Sequence, residues 1–220
     1  MSAWKINTID LGKIAANCYL IQTCRGSILI DTGRASKLRK LEKEMKNSGC
    51  RPEDLSLILL THGDFDHTGS CAYFQKKYNI KIGMHFDDFG MVERGDMFWN
   101  RKAGNVIAKK IVNLLFAIKK FKPDFSVDEG YDLTEYGLDA RVIYIPGHSK
   151  GSIGILTSEG DLFCGDLFMN NKKPSFCSII DNKEEFDESI RKIKDLDVKK
   201  VYPGHGKPFY MSELACMKNI

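Results

Sequence analysis

Repeatedly along this chain an apolar run stops at a glycine-containing turn that carries histidine or aspartate. The first run, Leu55-Ser56-Leu57-Ile58-Leu59-Leu60, leads into Thr61-His62-Gly63-Asp64-Phe65-Asp66-His67-Thr68-Gly69. A short apolar run bounded by turn formers reads as a buried strand, and the end of a rigid strand can hold side chains in place. Residues 142–145 then lead into Pro146-Gly147-His148, residues 162–164 into Gly165-Asp166, and residues 198–202 into Pro203-Gly204-His205. Taken alone, the nonapeptide 61–69 also reads as a solvated polar loop, and a lone histidine beside glycine is often only a turn residue. The recurrence argues instead for a fold that brings several strand ends to one point.

At that point the chemistry is constrained. Imidazole suits zinc, iron and related ions, and carboxylate adds charge and harder oxygen donors. Crowding carboxylates beside imidazoles makes their ionisation costly, and one or two divalent cations remove that cost. The candidate ligands are His62, Asp64, Asp66, His67, His148, Asp166 and His205.

The surrounding pattern is α/β. Residues 4–11, 18–21 and 27–30 read as short strands separated by turns. Residues 36–47 read as a helix with Leu38, Leu41 and Met45 on one face, stopped by Gly49. Strand, helix, strand and then ligands is the order in which open sheets place a site beyond their carboxyl ends. A short helix follows Gly69, with Cys71 and Phe74 inward, and residues 79–84 read as a short strand; His85 after it reads as another ligand or, in preference, a surface residue near the cleft. Residues 125–130, 140–145, 153–156 and 162–164 are further strands, residues 184–196 a helix, and residues 212–217 a short terminal helix.

Residues 86–126 break the pattern and mix aromatic and charged side chains, as an insert forming a pocket wall, lid or dimer contact does. Within it, residues 105–122 read as an amphipathic helix with Ile107, Ile111, Leu114, Leu115, Ile118 and Phe121 on one broad face. That face is expected to pack on the parent domain or in a homodimer, with a membrane surface as the less favoured partner.

Net charge bounds the partners. An excess of +4, from 33 basic and 29 acidic side chains, is too small to call for nucleic acid. No run approaches the ~18 apolar residues of a membrane span. The first residues lack the basic-then-apolar order of a secretory signal. Seven cysteines, an odd set without close spacing, fit small core residues in a reducing cytoplasm. A chain of 220 residues can form one domain over residues 1–220 with its own core.

Together, Thr61-His62 with Asp66-His67 and Gly69, Pro146-Gly147-His148-Ser149 with Gly151-Ser152, Gly165-Asp166, and Pro203-Gly204-His205-Gly206 resemble the metallo-beta-lactamase-like hydrolase superfamily. Asn17-Cys18-Tyr19 and Ile30-Asp31-Thr32-Gly33 resemble its opening strands. The resemblance implies a four-layer αβ/βα sandwich, two mixed sheets face to face with helices outside, and a dinuclear metal site at one edge. It assigns His62 and His148 to a first ion, Asp66, His67 and His205 to a second, Asp166 to both, and Asp31 to a supporting role. Asp66 is also the expected catalytic group, orienting the nucleophile or passing a proton to the leaving group.

Where most members carry histidine, this chain has Asp64. Zinc is implied by the family, and iron or manganese by the oxygen donor, as in the similar flavodiiron proteins. The implied reaction is hydrolysis of an ester, thioester, lactone, amide or phosphoester by a metal-bridging hydroxide. A diiron enzyme handling oxygen or nitric oxide, and a noncatalytic ligand-binding protein, are the alternatives. Ser149 and Ser152 read as holders of the loop backbone, Lys150 as a possible contact for an anionic small-molecule substrate, and Cys164 as buried.

Overall fold

The computed structural model describes residues 4–12, 15–101, 106–116 and 118–215. Its first sheet runs β1 (Lys5–Ile9), β2 (Cys18–Thr23), β3 (Gly26–Ile30), β4 (Leu55–Leu59), β5 (Ile82–Met84) and β6 (Phe125–Ser126), in that spatial order. β1, β2 and β3 pair antiparallel, and β3 through β6 pair parallel. The parallel part needs crossovers, which α1 (Leu38–Asn47) and α3 (Cys71–Tyr78) supply. α2 (Phe65–Thr68) is a single turn between β4 and α3.

A second mixed sheet has the order β14-β12-β9-β8-β7. It is built from β7 (Ala140–Tyr144), β8 (Ile153–Thr157), β9 (Asp161–Phe163), β12 (Lys200–Tyr202) and β14 (Phe209–Tyr210). A smaller one has β10 (Phe168–Asn170) between β11 (Ser175–Phe176) and β13 (His205–Gly206). α4 (Phe89–Arg94), α5 (Val106–Leu115), α6 (Lys183–Lys194) and α7 (Met211–Ala215) complete the chain.

The apolar strands are continuous because both of their faces are buried. Ile28, Ile30, Leu57 and Leu59 pack between the sheets against Val142, Ile153, Ile155 and Phe163. Their alternating neighbours, Leu29, Ile58 and Leu60, pack outward on Leu41, Met45, Cys71 and Phe74 of α1 and α3. On the far side, Ile143, Leu156 and Leu162 meet Phe186, Ile190 and Ile193 of α6. Helix, sheet, sheet, helix is the expected four-layer sandwich.

The insert departs from expectation. The helix placed at 105–122 is observed as Val106–Leu115, and residues 105 and 117 lie outside the described residues. Ile107, Ile111, Leu114 and Leu115 are each more than half exposed, so this face is largely open rather than buried in the parent domain. Ile118 and Phe121, beyond the helix, are the buried pair; Ile118 joins Met91 and Met97 in a small cluster of its own. Tertiary burial of those two side chains has overridden the helical period. Five of the six described cysteines are buried and all six are unpaired, Cys164 among the buried ones. Among the described residues no helix is long and apolar enough to cross a membrane.

Candidate metal centre

Each candidate ligand leaves its strand where the sheet ends. β4 delivers His62 and Asp64, and α2 then carries Asp66 and His67. His148 follows β7, Asp166 follows β9, and His205 opens β13. Glycine is required where these loops converge. A side chain at Gly204 would collide with the Asp166 carboxylate and the His67 ring. Gly165 turns at φ +49 against Thr61, a conformation most side chains disfavour.

All seven residues meet. His62, His148 and Asp166 form one close group of potential ligand atoms, and Asp66, His67 and His205 a second. Ligands about 2.0–2.1 Å from one tetrahedral ion stand about 3.4 Å from each other. His67 Nε2 and Asp166 Oδ1 are 3.4 Å apart, His205 Nε2 and Asp66 Oδ2 3.3 Å, and His205 Nε2 and Asp166 Oδ2 3.4 Å. In the first group, Asp64 Oδ2 lies 3.5 Å from His62 Nε2 and 3.2 Å from His148 Nε2. Asp166 Oδ2 is 3.9 Å from His148 Nε2, so this one carboxylate faces both groups.

Outer partners fix the rings so that Nε2 points inward, the arrangement metal-ligating histidines use. His67 Nδ1 meets Asp31 Oδ2 at 2.8 Å, His62 Nδ1 meets Thr61 Oγ1 at 3.0 Å, and His148 Nδ1 meets the Ile179 carbonyl at 2.7 Å. Asp31 also accepts from the Thr61 backbone N–H and hydroxyl, at 2.9 and 2.8 Å. It does so from a left-handed backbone, φ 57, a strained conformation of the kind that concentrates at working sites. Meanwhile His62 Nε2, His67 Nε2 and Asp166 Oδ1 are buried without a hydrogen-bond partner. Buried polar atoms are rarely left so, and a cation suits these donors.

The electrostatics follow from burial and crowding. Burial would raise the Asp166 carboxyl, yet His67 and His205 hold it well below the usual carboxylate range. Burial would lower His148, but Asp64, Cys177 and Asp166 lift it to about 10. His205 is likewise lifted to about 10 against its burial, chiefly by Asp166. His62, which burial and then the His67 charge push down, is the exception.

Two contributors were invisible in the sequence pattern. Asp88, fully buried, accepts from Gly63 N at 2.9 Å, Ser149 Oγ at 2.6 Å, Gly151 N at 2.8 Å and Asn100 Nδ2 at 2.8 Å. It thereby joins the His62 and His148 loops to the insert. Arg101 pairs with Asp64 through both guanidinium ends. Ser149 and Ser152 hold the loop as expected, through Asp88 and through a Ser149 N–H donated to Ser152 Oγ at 3.1 Å. Lys150 pairs with Asp87 at 3.4 Å. His85 is buried rather than on the surface, stacked on Tyr144 with ring centroids 4.5 Å apart.

Beside His205 opens a cleft of about 790 Å³ whose lining includes Lys172, Lys173 and Lys207, against Asp10 and Glu213.

Comparison with known proteins gives a consistent set of likenesses. The sequence model of the metallo-beta-lactamase superfamily matches residues 11–205. A Methanocaldococcus jannaschii protein named "Probable metallo-hydrolase MJ0888" is 27% identical over 202 residues, covering 88% of each chain. The atrochrysone carboxyl ACP thioesterase of Aspergillus fumigatus is 26% identical over 86% of this chain, which spans only 50% of that protein. The acyl-coenzyme A thioesterase MBLAC2 of Bos taurus is 26% identical over 88% of this chain and 74% of its own. Among solved structures, TTHA1623 in a di-iron-bound form superposes with a TM-score of 0.75 at 26% identity, covering 95% of this chain and 96% of that one.

Proposed function

This chain belongs to the metallo-beta-lactamase superfamily, and from that premise we propose that it is a dinuclear-metal-dependent hydrolase of an acyl ester or thioester. The observation that carries the proposal is the set of orphaned buried donors on His62, His67 and Asp166, aimed into one space. Each such atom left unmatched costs about 1–3 kcal/mol.

In this reading His62, Asp64 and His148 hold the first ion, Asp66, His67 and His205 the second, and Asp166 contributes to both. When bound, the ions would supply Lewis-acid activation of water and of the scissile carbonyl. The chain's own residues do the rest. Asp31 and Thr61 keep the His67 and His62 rings oriented, and Gly204 lets the backbone approach without crowding Asp166. Asp66 is 13% exposed, the most open acid of the group beside Asp64 and Asp166 at 9%. It is the carboxylate best placed to hand a proton to a leaving group.

Thioesters are favoured by two features. Two relatives carry thioesterase names, and the lysine-lined cleft beside His205 suits an anionic carrier such as a phosphorylated thiol. Asp64 brings an oxygen donor where the family has nitrogen, which supports iron or manganese beside zinc, and a structural relative was solved with two irons.

The test is elemental analysis of protein purified without chelator or affinity metal, joined to a panel of thioester, ester, lactone and phosphoester substrates. Up to two ions per chain and turnover on the acyl substrates are expected, with Asp166→Ala/His67→Ala losing both. Full metal content and activity in that double variant would sink the proposal. Iron together with no hydrolysis across the panel would move the reading to oxygen or nitric oxide chemistry.

A further inference from the structure

Arg101 enters the first half of the centre from the insert. Its side chain is 6% exposed, Nη2 donates to Asp64 Oδ2 at 3.0 Å, and Nη1 stands 2.9 Å from Oδ1. Nη2 also lies 3.4 Å from His148 Nε2. A guanidinium fork on a carboxylate is among the strongest pairings available to a buried acid. The arm that carries it is fixed as well. The Arg101 N–H donates to the Phe98 carbonyl at 3.2 Å, and its own carbonyl accepts from Lys109 Nζ at 2.8 Å. The preceding Asn100 donates to Asp88 Oδ1 and the Asp87 carbonyl, at 2.8 and 2.6 Å. Because Asp88 also grips the loops of His62 and His148, the guanidinium is held in register with the groups it touches.

The two halves therefore differ in charge. In the second half Asp66 and the shared Asp166 stand with His67 and His205, and Asp31 backs His67. In the first half Asp64 and Asp166 stand with His62 and His148, but Arg101 cancels one of those charges. A cation arriving there meets a resident cation and a carboxylate already ion-paired with it, Oδ2 accepting from Nη2 and Oδ1 standing 2.9 Å from Nη1.

We infer that Arg101 is a positioning residue that sets unequal occupancy: the second half fills first and tightly, and the first half fills second and exchanges, sharing Asp64 with the guanidinium. This rests on the reading of the centre as a site for two ions.

Titration of metal-free protein with zinc, and separately with manganese, against a competing indicator tests both and tells them apart. Wild type is expected to show two resolved steps separated by about a hundredfold or more in Kd. Arg101→Met, which keeps bulk and removes charge, leaves the first step unchanged and tightens the second by about tenfold or more. Arg101→Lys, with charge but no fork, falls between. Two equal steps in wild type, or an unchanged or weaker second step in Arg101→Met, overturn the inference. Absence of any tight step defeats the metal reading itself. Should Arg101→Met fail to fold, anomalous scattering from wild-type crystals given one equivalent of zinc decides. The ion belongs beside Asp66, His67 and His205, and finding it beside His62 and His148 overturns the inference.

Discussion

Asp88 shows how much one buried carboxylate can carry without touching the reacting groups. It satisfies two backbone N–H groups and a serine hydroxyl away from solvent, and a partly buried asparagine amide. Asp88→Ala strands those donors and should lower stability by about 3–5 kcal/mol, read as a shift in urea midpoint. Asp88→Asn keeps one acceptor oxygen and should lose less; equal losses would mean that shape rather than acceptance matters. The ligands make a pH prediction for the metal-free chain. His148 and His205 are raised to about 10 in the folded state, above the ordinary histidine value of about 6.5. Their contribution is complete below about pH 6.5 and disappears as pH climbs toward 10. Asp64 and Asp166 are held low, so their contribution is present above the usual carboxylate value and lost in acid. Chelated protein should therefore unfold at lower urea at pH 9 than at pH 6. Cation binding, which needs neutral imidazoles, should strengthen over that same interval and release protons. Calorimetric titration in two buffers of different ionisation enthalpy measures that release, and a metal-free chain that is more stable at pH 9 would contradict the assigned ion pairs.

Strand ends were legible where whole elements were not. His62, His148, Asp166 and His205 each sit within a few positions of a strand and beside glycine, so local pattern sufficed for these four. Nothing local marks Arg101 or Asp88, because the partners that give them meaning lie far off in sequence, Asp64 at a separation of 37 and Ser149 at 61. The strands β10, β11, β13 and β14 escaped notice for a different reason. At two or three residues each, they are too short for a period to register. In the insert, the apolar stripe of 105–122 overstated the helix, since Ile118 and Phe121 are buried from a stretch beyond its end. The distinction is measurable. Leu114→Ser, at a side chain 82% exposed, should change stability by no more than about 0.5 kcal/mol. Phe121→Ala, at one 7% exposed, should cost about 3–5 kcal/mol. Comparable losses at both positions in urea unfolding would show that the α5 face is buried in solution.

Over the whole molecule, the centre lies across the seam between the two sheets. The first sheet supplies His62, Asp64, Asp66 and His67, and the second side supplies His148, Asp166 and His205. Protein contacts already close that seam. Asn17 Nδ2 donates to the carbonyls of Pro203 and Gly206, the Tyr19 hydroxyl donates to Pro203, and the Ile153 N–H donates to the Thr61 carbonyl at 2.8 Å. Cations held by both sides add to these ties only in the folded chain, because the ligands are brought together from residue 62 to residue 205 by folding alone. A ligand that binds only the native state at a hundred times its Kd stabilises it by about 2.7 kcal/mol. For a chain of this size each kcal/mol moves the melting temperature by about 2–4 °C. Stripping the metal with chelator should therefore lower Tm by about 5–11 °C, and restoring zinc or iron should return it. Hydrogen exchange should quicken on both sides of the seam together, at the 61–69 loop and at the loops around His148 and His205. Faster exchange confined to one side, with Tm unmoved, would mean that the ions do not tie the sheets together.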